Sequence, residues 1–174
     1  MFIIYILNEI IVGHKRKKVG NYAPFIPLPS IVIKDVVKVL DLKDGNVFYD
    51  LGCGDGRIVK ACSTSHGDAN CIGIERDFVP YLLARVNTRN IPKNRLKILK
   101  KDIFDQDLSS ATHIFTYLFP DLLDNLLPKL EKELKSGTKL VSVDFKFSKK
   151  EPEEIIDLSR ASWKLGSNIY VYRF

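Results

Sequence analysis

Short apolar runs alternate with helix-spaced ones along most of this chain, and that alternation organises everything else. After "NYAPFIPLPS", where Pro24, Pro27 and Pro29 exclude a continuous helix, Ser30 is placed to cap a helix running to about Leu40. Its apolar face reads as Ile33, Val36, Val37 and Leu40. The turn at Asp44 to Asn46 leads into "VFYDLG", an apolar run of strand length ending in glycine, and a helix is predicted from about Arg57 to Ser65. "NCIGIE", Asn70 to Glu75, reads as a second buried strand. "DFVPYLLARVNTRN", Asp77 to Asn90, reads as a helix with Asp77 at its cap and Pro80 harmless in its first turn. "RLKILKKD", ending at Asp102, and "ATHIFTYL" are the third and fourth strands. "PDLLDNLLPKLEKELKSG" is a helix closed by Gly137, which Pro128 is expected to kink or reset, and "TKLVSVDF" is a fifth strand.

Strands alternating with helices imply an α/β fold, a parallel sheet with helices on both faces. The tail breaks the rhythm. "EEIIDL" and "NIYVYRF" are separated by only about ten residues, too few for a helical crossover, so they are expected to close the sheet as an antiparallel pair.

With 174 residues, 45% of them hydrophobic, the chain is long enough for one domain with its own core. A formal charge of +6, from 27 Lys and Arg against 21 Asp and Glu, suits nucleic acid, an anionic membrane or an acidic protein and selects none of them. Cys53, Cys62 and Cys71 are an odd number spaced nine apart, which fits neither a disulfide framework nor a zinc site; buried reduced thiols in a cytoplasmic protein are expected. His14, His66 and His113 are scattered, and no metal site is expected.

The opening run "FIIYILNEIIV", Phe2 to Val12, is about half the roughly 20 apolar residues that a membrane span requires, and Asn8 and Glu9 interrupt it. Its positive charge, "HKRKK", follows the apolar part instead of preceding it, so a signal peptide is not expected. Ile3, Ile4, Leu7, Ile10 and Ile11 have helical spacing. A short helix docked on the domain or over a cleft is one reading; peripheral membrane contact through residues 2–18, with Lys15 to Lys18 on anionic headgroups, is the other.

The chemistry concentrates in "FYDLGCGDGRIV", Phe48 to Val59. Gly52, Gly54 and Gly56 let the backbone turn sharply at the carboxyl end of the first strand, where ligands sit in open α/β sheets. The nicotinamide fingerprint G-x-G-x-x-G fails, because the third glycine arrives one residue early and Arg57 takes its place. A phosphate loop is absent as well, and Asp50 and Asp55 would repel a pyrophosphate while favouring a cation. Glu75, 25 residues after Asp50, stands where a carboxylate can accept hydrogen bonds from ribose hydroxyls, and Asp102 stands at the end of the third strand.

"YDLGCGDGR" together with "IGIERD" resembles the class I methyltransferases that use S-adenosylmethionine. The resemblance implies a Rossmann-like seven-stranded sheet, mostly parallel with an antiparallel C-terminal strand, in a domain spanning residues 22–174 after an N-terminal segment, 1–21. It also implies that Asp50, Gly52, Gly54 and Gly56 surround the methionine part of the cofactor, that Glu75 meets the ribose and that Asp102 and Ile103 meet the adenine. Cys53 and Arg76 complete that set. More narrowly, "YAPFIPLPS", "LPKLEKELKSGTKLVSVDF" and the tyrosine-rich last strand are similar to the small protein lysine methyltransferases of archaea and their mitochondrial relatives. In those, a proline-rich segment folds over the cofactor, which implies that role here for Tyr22, Pro24, Phe25 and Pro27. Many relatives carry a polar residue before the acid that ends the fifth strand; this chain has Val143 before Asp144.

Methyl transfer from a sulfonium is an in-line displacement, so the protein positions the nucleophile about 3 Å from the methyl carbon and excludes water. Tyr22 and Tyr117 are the candidate catalytic residues, lining the channel for a lysine amine of a protein substrate. A monomeric, cytoplasmic enzyme is expected. RNA or DNA, for which "KNRLKILKK" supplies charge, a small molecule, and a cofactor-binding module without catalysis stand as alternatives.

Overall fold

The computed structural model describes residues 25–65, 68–158 and 166–174. The predicted helix in Phe2–Val12, the cluster Lys15–Lys18, Tyr22 and Pro24 lie outside the described residues. Seven strands form one sheet: β1 (Val47–Leu51), β2 (Asn70–Glu75), β3 (Leu96–Lys100), β4 (His113–Thr116), β5 (Lys139–Val143), β6 (Glu154–Asp157) and β7 (Asn168–Arg173). Their spatial order is β3-β2-β1-β4-β5-β7-β6. The first five are parallel, in registers such as Val47 opposite Asn70 and Phe48 opposite His113, and β7 runs antiparallel to both β5 and β6. This is the Rossmann-like sheet with antiparallel closure that was expected.

Four α-helices are described: α1 (Ser30–Leu40), α2 (Arg57–Ser65), α3 (Phe78–Asn87) and α4 (Pro120–Glu133). One core holds Val32, Val36, Ile58, Cys62 and Ala84 from α1, α2 and α3. The opposite face holds Leu122, Leu123, Leu126, Leu127 and Leu130 of α4. Continuous apolar runs make β1, β2 and β5 almost wholly buried, as central parallel strands require. The three cysteines are free and buried. Among the described residues no helix is long and apolar enough to cross a membrane.

Several boundaries differ from the sequence reading. Ser30 is the first helical residue and not the cap; Pro29 takes the N-cap, with φ −59° and ψ 144°, and its carbonyl accepts from Val32 N and Ile33 N. The buried stripe of α1 is Val32, Val36 and Leu40, which packs in the core with Ile58 and Cys62 of α2 and with Val141 and Val143 of β5, while Ile33 and Val37 of the predicted face are only partly buried. Asp77 is the N-cap of α3 without a side-chain capping bond, and α3 stops at Asn87, where the chain turns and Thr88 Oγ1 donates to Ala84 O at 2.7 Å. Pro128 does not reset α4, which is one helix of 14 residues anchored by five buried leucines. That helix ends at a Leu134 C-cap and not at Gly137, whose N–H donates to Phe174 O at 2.6 Å. Asp102 is not a strand end: it caps the 3-10 turn Ile103–Asp105 by accepting from Phe104 N at 3.0 Å.

Candidate functional site

The order of the strands reverses at β1, which pairs with β2 on one side and β4 on the other. A cleft opens at the carboxyl ends of these strands, as the topology demands. The loop leaving β1 forms its floor. Gly52 N and Cys53 N both donate to Ile74 O at 2.9 Å, which folds the loop over the end of β2, and Gly56 N donates to Cys53 O at 2.8 Å. Gly52, Gly54 and Gly56 have φ of +77°, +56° and +77°, so side chains are strained at all three. Their surroundings separate their tasks. A Cβ on Gly54 would lie 2.4 Å from the Phe25 ring, and one on Gly52 would lie 3.1 Å from Leu118, both residues of the cleft wall. A Cβ on Gly56 would instead meet Ala84 of α3 at 3.1 Å. Gly56 is therefore a packing position between α2 and α3, placed off the wall that it was expected to join.

Acids ring the loop. Asp50 is 2% exposed, and its Oδ2 accepts the Val59 amide at 3.1 Å, in the first turn of α2. Burial above all, with repulsion from Glu75 and Asp55, pushes its carboxyl up to about 8 against the pull of the Val59 amide. Glu75 is 9% exposed; Oε2 accepts from Gly54 N at 3.0 Å and Oε1 from Asp77 N at 2.8 Å. Burial raises its pKa too, and the backbone amides of Asp77 and Gly54 hold it down. Among the described residues neither acid has a cationic partner. Asp55 does have one: Arg57 Nη2 donates to its Oδ2 at 2.6 Å and Arg57 Nε to its Oδ1 at 2.9 Å.

Arg57 also donates from Nη1 to Leu28 O at 3.0 Å, tying the segment of Phe25 to Leu28 to the start of α2. That segment, with Pro27, forms one wall of the cleft. Sequence reasoning registered Arg57 only as a missing glycine; the contact with a carbonyl 29 residues away left no local signal. Arg76, Asp102, Ile103 and Phe104 build the opposite wall, where Arg76 Nη1 reaches Asp102 Oδ2 at 3.1 Å. Cys53 lines the floor as a buried thiol, its pKa held well above the usual range by burial and then by Asp50. Tyr117 lines the rim beside Leu118. Its hydroxyl lies 3.5 Å from Asp144 Oδ2, and its ring is 5.7 Å from that of Phe145. Asp144, at φ +60°, also accepts from Gly166 N at 2.6 Å and Ser167 N at 2.8 Å. The structure thus brings together Pro27, Asp50, Gly52, Cys53, Gly54, Glu75, Arg76, Asp102, Ile103 and Tyr117 around one cleft. Tyr22 lies outside the described residues.

Two buried carboxyls without a cationic partner among the described residues, beside a backbone too close for side chains, fit an elongated ligand carrying positive charge, and the apolar wall of Ile103 and Phe104 fits a flat ring. Residues 50–154 match the family model of the ANTKMT methyltransferase domain, which covers more than half of the chain. The chain belongs to that methyltransferase family. A protein-lysine N-methyltransferase of Saccharolobus islandicus is 32% identical over 155 residues, covering 87% of this chain and 93% of the relative. The adenine nucleotide translocase lysine N-methyltransferase of Mus musculus is 28% identical over 147 residues; those residues make up 83% of this chain and 62% of that longer protein. Among solved structures, an RNA methyltransferase from Salinibacter ruber in complex with S-adenosyl-L-homocysteine superposes with a TM-score of 0.77 at 33% identity, covering 85% of this chain and 93% of that one. This methyltransferase is an enzyme with S-adenosylmethionine as its cofactor, and the cleft has the charge and shape to hold it.

Proposed function

We propose that this methyltransferase methylates the side-chain amine of a lysine in a protein substrate. The observation that carries the site is the pairing of Asp50 and Glu75, buried with no cationic partner among the described residues, on either side of the Gly52–Gly54 turn. The names of the archaeal and mouse relatives support a lysine acceptor.

The cofactor supplies a methyl group on a positively charged sulfur. Asp50, Gly52, Cys53 and Gly54 hold its amino-acid end, where carboxylates favour the ammonium and the sulfonium. Glu75 keeps a lone pair on each oxygen beyond its two backbone bonds and accepts from the ribose hydroxyls. Asp102 and Ile103 border the adenine, and the Arg76–Asp102 pair closes that end. Pro27 and the rest of the segment tied down by Arg57 exclude water.

Tyr117 lines the acceptor channel. Burial, followed by the charge of Asp144, holds the Tyr117 hydroxyl well above its ordinary pKa, so Tyr117 is not a base. It donates to Asp144 and leaves its lone pairs to an amine N–H. Asp144 attracts the incoming ammonium, and Phe145, its ring 5.7 Å from that of Tyr117 and 5.2 Å from that of Phe119, backs the Tyr117 ring at the rim. A lysine must lose its proton, from an ordinary pKa of about 10.4, and a dry channel beside a cation lowers that value without a dedicated base.

An RNA acceptor is the second reading, favoured by the basic run Lys93 to Lys101 and by the name of the Salinibacter ruber neighbour. Incubation with tritium-labelled S-adenosylmethionine and a cell extract, divided between protease and nuclease, separates the two. Label lost to protease supports a protein substrate; label lost to nuclease overturns it.

A further inference from the structure

Helix α3 is inverted for a surface helix. Its inner side, Pro80 and Ala84, is buried, with Ala84 packed on the Gly56 turn. Phe78, Val79, Leu82, Leu83 and Val86 are between 42% and 58% exposed. At about 100° per residue these five share one arc of roughly 140°, the arc that a surface helix ordinarily fills with charge. Two basic side chains stand along one edge of it. From Phe78 to Lys101 the chain has no acidic residue and seven Lys or Arg. Lys100 Nζ stands 5.8 Å over the Phe78 ring, and Arg85 borders the same edge of the arc, its guanidinium 5.8 Å over Tyr81.

We propose that this exposed face of α3 docks on the interface of a bilayer containing anionic lipids. An apolar arc with cations along one edge matches the boundary between acyl chains and negative headgroups. Nucleic acid would satisfy the cations and leave five apolar side chains in water. The face is a convex rib, which a bilayer accepts without a groove of matching shape. Asp77 and Pro80, at the start of α3, also line the cleft, so a docked α3 sets the cleft mouth beside the membrane surface. The inference stands apart from the identity of the methyl acceptor.

The test is sedimentation of the full chain with phosphatidylcholine vesicles, with and without about 30 mol% phosphatidylglycerol. Wild type is expected to bind the anionic vesicles at least about tenfold more tightly than the neutral ones. A variant carrying Val79→Gln, Leu83→Gln and Val86→Gln is expected to lose about tenfold or more in vesicle affinity while keeping the wild-type melting temperature and affinity for S-adenosylmethionine. Arg85→Glu is expected to weaken binding to the anionic vesicles alone. If the triple variant folds poorly, Val86→Gln alone, at the end of the rib away from the cleft, is expected to lose about threefold. Vesicle binding that is undiminished by these variants, a wild type that ignores anionic lipid, a dimer that the triple variant dissolves, or RNA binding that the triple variant loses would each overturn the proposal.

Discussion

Glu75 Oε2 accepts the amide proton of Gly54 at 3.0 Å, so the acid that ends β2 fixes the middle of the loop that leaves β1. Its other oxygen holds Asp77 N at 2.8 Å. Removing the carboxylate therefore leaves two amides without their acceptor and takes away the proposed contact to the ribose. Glu75→Ala is expected to weaken S-adenosylmethionine binding by roughly 1 to 3 kcal/mol, with a smaller loss for Glu75→Gln, which keeps one acceptor. Calorimetric titration reads this; an unchanged affinity in Glu75→Ala would reduce Glu75 to a structural brace.

Asp50 gives the cleft a pH dependence. Its carboxyl, near 8 in the folded protein against an ordinary 3.8, is largely protonated at neutral pH, and a bound cation favours the charged form. Binding then releases a proton, so affinity rises with pH up to about 8, by at most about tenfold per unit, and levels off above. Titrations in buffers of different ionisation heat count that proton. Asp50→Asn is expected to flatten the profile and to bind more weakly above pH 8.

The same group shapes stability. Because its folded pKa is raised, its contribution is full below about 4 and is lost as pH rises toward about 8. Asn retains an acceptor for the Val59 amide, so at pH 8 Asp50→Asn is expected to melt no lower than wild type. Thermal unfolding at pH 5 and pH 8 checks this; a variant that melts lower at both values would mean that the charged carboxylate is the stabilising form.

Much of this site was legible in the sequence because its parts are local. "VFYDLG" and "NCIGIE" are apolar runs cut off by glycine or acid, and β1 and β2 lie within a residue of where those runs placed them. What escaped depends on residues far apart in the chain. The face of α1 is set by its packing on α2 and β5, and the division of labour among the three glycines is set by Phe25, Leu118 and Ala84. The hold of Arg57 on Leu28 belongs to the same class. The exposed apolar face of α3 escaped for another reason: helical spacing reports a face, and it does not report which side of the helix meets the core.

Tyr117 tests the acceptor side. Tyr117→Phe keeps the ring against Phe145 and removes the hydroxyl that Asp144 holds. It is expected to lower kcat by about tenfold while leaving the affinity for S-adenosylmethionine unchanged. A loss confined to cofactor binding would move Tyr117 out of the channel.

The most direct measurement of the central claim compares wild type with Gly54→Arg. The arginine must displace the Phe25 ring, 2.4 Å from where its Cβ would lie, at a φ of +56° that suits only glycine well. Each protein is incubated with tritium-labelled S-adenosylmethionine and a cell extract, the product is hydrolysed in acid, and the labelled amino acids are separated. Label recovered as methylated lysine from wild type and absent with Gly54→Arg is the predicted result. Label in any other residue or in nucleic acid, or equal labelling by the two proteins, would contradict it.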